Sequence, residues 1–234
     1  MAGESISLND VFEQCRDMDA SLTERLAIFA GAVRDQQPSF TAAVDRLVER
    51  LHNSGAGEAA PQPGDAMPPF VLPDESGRLV SMEQLLRAGP IAVTFHRGHW
   101  CPYCRININA LARAHETICR EGGGIIAIVP ERQKYAAEFK VDGRVTFPIL
   151  TDMDNGYAMS LNLTIWVGEE MKHFIRDEFG HDLANFQGNE AWLLPIPATF
   201  VVGRDGKVKE RFVDPDYRKR MAIDDLLTAL RKEI

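Results

Sequence analysis

The sequence predicts an α/β fold: a central mixed β-sheet covered by helices on both faces, with a helical extension at its N-terminus. Three observations carry this. Pro90–Phe95 and Gly124–Val129 are uninterrupted apolar runs with the length of strands buried on both faces. Helical patterns stand between and after them, the alternation that builds parallel strand pairs. Arg204-Asp205-Gly206 separates two apolar runs near the C-terminus, a hairpin signal that adds antiparallel strands to the sheet.

Residues 1–53 read as a helical extension. Leu22, Leu26, Phe29 and Val33 recur at spacings of three and four, with Ser21 and Glu24 as a capping box. A second stripe after Pro38 consists of Phe40, Val44, Leu47, Val48 and Leu51, with Ser39 or Thr41 as its cap. Such a hairpin packs on the main domain or on a second subunit, and so provides for a homodimer. Cys15, within it, reads as a small hydrophobe. Residues 54–69 are rich in Gly, Ala and Pro and read as a linker, with the domain of residues 62–234 following and overlapping it.

Within that domain Phe70–Pro73 is a short strand, Asp74–Gly77 a turn, Arg78–Val80 an extended segment and Met82–Arg87 a helix capped by Ser81. Pro102–Arg120 is a long helix that turns Ile106, Leu111, Ala114 and Ile118 inward and is ended by Gly122-Gly123-Gly124. A helix over Arg132–Lys140, a strand over Phe147–Leu150 and a helix over Tyr157–Leu161 come next. Residues 162–194 are an aromatic-rich insertion without a clear period. The hairpin of Ala198–Val202 and Lys207–Val213 and a helix over Tyr217–Lys232 close the chain.

The chain has 234 residues, 45% of them hydrophobic, and a formal net charge of −8. That charge argues against a nucleic-acid or anionic-membrane partner, since phosphate surfaces select basic faces. No apolar run approaches a membrane span, and Met1–Asp10 lacks the basic and apolar regions of a secretory leader, so a cytoplasmic protein is expected. Its four cysteines are too sparse for a disulfide-stapled scaffold. Only Cys101 and Cys104 are close in sequence, and in a reducing compartment such a pair is catalytic or metal-binding.

The pair occupies the junction between a buried strand and a helix, in Phe95-His-Arg-Gly-His-Trp-Cys-Pro-Tyr-Cys-Arg105. Cys101 falls at the N-cap and Pro102 at the first helical position, where a missing N–H costs nothing. Free N–H groups and the positive helix end favour a thiolate there, and Arg97 and Arg105 add positive charge. One helical turn brings Cys104 within reach of a disulfide with Cys101. His99 and His96 stand where a pKa can be tuned or a proton carried, Trp100 shields the thiols, and Tyr103 and Arg105 flank them. The alternative is a zinc site of His96, His99, Cys101 and Cys104, in a non-enzymatic redox sensor or adaptor. Cys119, about four turns further along the helix, is out of reach and reads as structural.

With these residues in place, the chain over about residues 62–232 resembles the peroxiredoxins of the alkyl hydroperoxide reductase and thiol-specific antioxidant family, in a branch with a thioredoxin-type Cys-x-x-Cys. The resemblance is carried by Gly64-Asp-Ala-Met-Pro-Pro-Phe-Val-Leu-Pro-Asp74, the strand ending in Phe95, the motif, and Thr199-Phe-Val-Val-Gly-Arg-Asp-Gly-Lys207. It implies a thioredoxin-like fold and an antioxidant thiol oxidoreductase acting on hydroperoxides or disulfides, reduced by thioredoxin or glutathione, without a bound cofactor. The family reads Phe-Tyr-Pro, three residues, Thr, two residues and the peroxidatic Cys. Laid on Phe95, that Cys is Cys104, the threonine is Cys101 and the proline is Arg97; the place of the family's later arginine holds Pro197. Ile196-Pro197-Ala198-Thr199 also resembles the thioredoxin loop whose cis-proline faces the cysteines. The two likenesses name different first nucleophiles: Cys101 for a disulfide, Cys104 for a peroxide.

Overall fold

The computed structural model describes residues 6–234; Met1–Ser5, part of the stretch read for a secretory leader, lie outside the described residues. Five strands form the central sheet in the order β5-β4-β3-β8-β9. β3 (Ile91–Phe95), β4 (Gly124–Val129) and β5 (Ile149–Thr151) are parallel, and β8 (Ala198–Val202) and β9 (Val208–Val213) are added antiparallel. The expected mixed sheet is therefore present, with β3 at its centre and every β3 residue buried. Two short antiparallel hairpins flank it, β1 (Val71–Pro73) with β2 (Leu79–Ser81), and β6 (Thr164–Trp166) with β7 (Leu193–Pro195).

Side chains alternate across β3 as in any strand. Ile91, Val93 and Phe95 join one core with Ile126, Ile128 and Phe200, covered by α4 (Met82–Ala88) and α7 (Gly156–Ser160). Ala92 joins the other core with Ala127, Val129 and Val201, beneath α5 (Pro102–Arg120), α6 (Gln133–Asp142) and α10 (Ile223–Arg231). The small alanines let α5 approach the sheet closely, which sets the depth at which its first turn sits.

The extension comprises three helices, α1 (Leu8–Asp17), α2 (Leu22–Gln36) and α3 (Pro38–Asn53). Periodicity found α2 and α3; α1 has its own capping box, Ser7 with Asp10, and buries Val11, Phe12 and Cys15. Arg25 pins this hairpin to α5. Its guanidinium, almost wholly buried, donates to the carbonyl of Cys15 at 2.7 Å and to Asn109 Oδ1 at 3.1 Å. Residues 54–69 do not hang free: Gly64 N–H donates to the Val208 carbonyl and Met67 N–H to the Gly206 carbonyl, so this Pro-rich stretch lies along β9.

Three boundaries differ from the sequence reading. The strand expected over Phe147–Leu150 begins at Ile149, two residues later. The insertion folds into β6, α8 (Glu169–His173), a π-helical turn (Phe174–Glu178), α9 (Leu183–Gln187) and β7. The last helix starts at Ile223 rather than Tyr217, because Asp214 and Asp216 accept the N–H groups of Asp216 and Arg218 and hold residues 214–222 in an irregular turn.

Candidate active site

The site forms where β3 gives way to α5. The chain leaves the sheet through Gly98, whose φ of +137° few other residues adopt. A Cβ there would stand 2.5 Å from Glu131 Oε1, so the turn requires glycine twice over. Cys101 is the N-cap of α5 and Pro102 its first residue, as the sequence predicts. Both thiols are free in this structure and both are buried.

The helix-end argument favours Cys101 as the thiolate. The structure instead gathers its hydrogen-bond donors on Cys104. Burial opposes ionisation of Cys104, but it is outweighed by a hydrogen bond from the Cys101 thiol and by the charges and donors of His96 and Arg220, which bring the Cys104 thiol well below the usual cysteine range. The Arg97 N–H reaches Sγ at 3.3 Å and Arg220 Nη2 at 3.4 Å. Burial, reinforced by the neighbouring Cys104, pushes Cys101 the other way, well above that range. Direct donors in a buried site outweigh a dipole that fades over one turn.

Around this pair the predicted residues divide. Arg97 is buried, its guanidinium 3.8 Å from the Tyr217 ring centroid and 4.8 Å from that of Trp100, a cation held between two aromatic faces. His99 and Arg105 meet at one carboxylate: His99 Nε2 and Arg105 Nη2 each lie 2.7 Å from Asp142 Oδ2. Burial tends to raise the Asp142 carboxyl, and those two partners hold it below the usual range. Tyr103 stacks edge-on against Phe29 and Tyr217, joining the motif to the extension. Pro197 borders a crevice with Arg97 and Tyr217, but its peptide bond is trans, since no cis bond occurs among the described residues; the thioredoxin-type cis-proline is absent. Thr199 is buried in β8 opposite Thr94, and no hydrogen bond ties its hydroxyl to either cysteine. Cys119, read as structural, is exposed, with Sγ 3.1 Å from His115 Nε2.

The four residues of the zinc alternative do not converge. His96 points to Thr94 and His99 to Asp142, and no group of three potential ligands gathers among the described residues.

Sequence reasoning missed three participants. Arg220 lies 116 residues from Cys104 in the chain, and no local pattern announces it. Tyr217 was placed in a helix; the Asp214-Pro215-Asp216 turn before it was the available signal. Glu131 follows β4 and is fully buried, its Oε2 accepting the His99 N–H at 2.9 Å. Burial, with the negative charge at Cys104 adding to it, pushes its carboxyl up to about 8, so it is largely protonated at neutral pH.

A cavity of about 620 Å³ opens onto Cys101, walled by Phe12, Phe29, Phe40, Phe179 and Trp100. Its roof comes from the N-terminal helices and the insertion, the two parts of the chain with no chemistry of their own. A second cavity of about 560 Å³ between α2 and α3 contains neither cysteine.

The AhpC/TSA family profile matches residues 63–211. The 1-Cys peroxiredoxin PER1 of Triticum aestivum is 23% identical over 184 residues, 73% of this chain and 75% of that protein. The crystal structure of peroxidoxin BcpB from Mycobacterium tuberculosis shares the fold, with a TM-score of 0.57 at 20% identity over 74% of this chain and 97% of that one. A yeast mitochondrial 1-Cys peroxiredoxin, described with a glutathione/thioredoxin resolving mechanism, gives a TM-score of 0.54 at 17% identity over 71% and 73%. With a cysteine pair at the strand-to-helix junction of a thioredoxin-like sheet, the chain belongs to the AhpC/TSA family and is a thiol peroxidase.

Proposed function

We propose that the protein reduces hydroperoxides at Cys104 and stores the oxidation as a Cys101–Cys104 disulfide. The observation that carries this is the set of donors on Cys104 Sγ, the Arg97 N–H and Arg220 Nη2, which hold a buried sulfur as a thiolate. The arginine that the sequence lacks at Pro197 has a counterpart in Arg220, which approaches the same sulfur from the far end of the chain.

The thiolate attacks the terminal peroxide oxygen; an S–O bond forms and the O–O bond breaks, leaving a sulfenic acid on Cys104. Cys101, the N-cap of the helix whose first turn carries Cys104, then displaces the hydroxyl and closes the disulfide. The aromatic cavity beside Cys101 accommodates the organic part of an alkyl or aryl hydroperoxide. Electrons return from thioredoxin or glutathione. A reducing thiol attacks Cys101, the sulfur that lines the cavity, and expels Cys104, the better leaving group because its thiol is the more acidic. Cytoplasmic residence, where the glutathione pool keeps thiols reduced, is part of the same proposal.

The test is reductant consumption with hydrogen peroxide or cumene hydroperoxide, in the wild type and in Cys104→Ser and Cys101→Ser. Peroxide turnover abolished by Cys104→Ser is expected. Turnover on insulin disulfides alone would replace the peroxidase by a disulfide reductase that begins at Cys101.

A further inference from the structure

His96 directly follows β3, two residues after Thr94, and is fully buried. Its Nε2 lies 3.1 Å from Thr94 Oγ1. Thr94 has one hydroxyl proton, and gives it to the Ile126 carbonyl at 2.9 Å. Oγ1 therefore accepts from His96, and in the neutral ring the proton is fixed on Nε2. Nδ1 is left with its lone pair. It is buried and makes no formed hydrogen bond, and the backbone N–H of the next residue, Arg97, reaches Cys104 Sγ at 3.3 Å, which sets the thiol beside His96. An unsatisfied buried acceptor beside an ionisable thiol is a costly arrangement unless the two exchange a proton.

We propose that His96, its tautomer set by Thr94, takes the Cys104 proton on Nδ1 and returns it when the disulfide closes. The proposal rests on the peroxidase reading above and completes its proton account. Cys104 S–H gives its proton to Nδ1. The thiolate attacks ROOH, and the departing alkoxide takes the Cys101 thiol proton to become ROH. The Cys101 thiolate then attacks Cys104; the S–S bond forms, the S–O bond breaks, and the departing hydroxide takes the Nδ1 proton to become water. Two thiols are oxidised, one peroxide is reduced, and no proton is drawn from solvent.

The surroundings suit a base that must also give its proton back. Phe139 of α6 packs edge-on against the ring at 5.7 Å. The titratable and charged groups that act on it are Cys104 of α5 and Arg220 of the turn before α10. Burial, and to a lesser degree Arg220, keeps the imidazole below its usual range while Cys104 pulls it up. A proton held there is easily lost to hydroxide.

Nitrogen NMR of the histidines in the reduced wild-type protein reads the tautomer directly. Expected is a His96 ring protonated at Nε2 throughout, with Nδ1 bare while Cys104 is a thiol and protonated once Cys104 is a thiolate; a neutral ring with its only proton on Nδ1 overturns the proposal. In His96→Gln, iodoacetamide labelling of Cys104, followed by peptide mass spectrometry from pH 5 to 9, is expected to slow at least about ten-fold on the rising limb. Thr94→Val is expected to move it in the same direction. After one equivalent of peroxide, the Cys104 sulfenic acid trapped by dimedone is expected to persist longer in His96→Gln. A folded His96→Gln variant with wild-type labelling profile and sulfenic lifetime overturns the proposal. If no peroxide is turned over at all, the peroxidase reading and the proton return fall together, while the NMR and labelling results still decide whether His96 and Cys104 share a proton.

Discussion

Replacing Arg220 by Met removes the guanidinium from Cys104 while keeping much of the side-chain volume. Nη2 stands 3.4 Å from Sγ in a site closed to water. Coulomb's law at that distance, with an effective dielectric of about 20, bounds the attraction at about 5 kcal/mol. The net value of a hydrogen bond to a charged group is about 1.5–3 kcal/mol, and that figure governs because wild type and variant both exchange it against solvation. At about 1.4 kcal/mol per factor of ten, the thiolate fraction below the midpoint falls about 10- to 150-fold. The assay is the pH dependence of Cys104 alkylation in a background carrying Cys119→Ser, because Cys119 is the exposed competitor. The profile is expected to move to higher pH in Arg220→Met and to recover in part in Arg220→Lys, which restores charge without the planar fork. Arg220 Nη1 also donates to the Lys219 carbonyl at 2.6 Å and to the Tyr217 carbonyl, so a thermal melt must show the turn intact. A folded Arg220→Met variant whose profile superimposes on the wild type refutes the assignment.

Glu131→Gln is expected to raise stability at neutral pH. The native carboxyl is pushed up to about 8 from an ordinary value of 4.5, so between those limits the native state holds a proton that the unfolded chain has released. Stability attributable to this group is therefore full below about 4.5 and falls by up to about 1.4 kcal/mol per pH unit as pH rises toward 8. Urea titrations across that window should converge at low pH, and parallel curves would contradict the burial argument. Arg25→Met strands the Cys15 carbonyl and Asn109 Oδ1 and should cost about 3 kcal/mol, read by urea denaturation; a loss under 1 kcal/mol would mean that apolar packing alone docks the N-terminal helices. Cys101→Ser should accumulate a dimedone-reactive Cys104 after a single addition of peroxide, whereas accumulation in Cys104→Ser instead would reverse the two roles.

Much of the framework was legible because its signals are local. β3 and β4 are continuous apolar runs, the β8–β9 hairpin has its Asp205-Gly206 turn, and α5 has its proline start and glycine stop. The order of strand, cysteines and helix is local too, and Cys101 stands at the N-cap of α5 as that order predicts. Which thiol ionises depends on electrostatics delivered across the fold. Arg220 and the Cys101 hydrogen bond act through space, and a dipole argument drawn along one helix cannot contain them. The docking of residues 64–67 beside β9 was hidden for a related reason: composition marks a chain that forms no regular element, but whether it finds carbonyls along an existing strand depends on that strand. The insertion was opaque because its pieces are short, with α8 and α9 of five residues each, too brief to express a period.

The placing of both cysteines in the first turn of α5 bears, in the proposed cycle, on the lifetime of the enzyme as well as its turnover. A sulfenic acid that waits is exposed to a second peroxide and to irreversible sulfinic oxidation. In the proposed cycle the competitor of that second molecule is the Cys101 thiol, at the N-cap of the helix whose first turn carries Cys104. Positioned groups of this kind act as though present at very high effective concentration, on the order of 10⁵ M or more. Peroxide at cellular levels cannot match it. If the proposed cycle holds, resolution waits for no partner to arrive, and the protein should withstand bursts of oxidant that outrun its reductant: the damage-prone state empties itself into the disulfide, and the wait for electrons is spent in the form that peroxide attacks least.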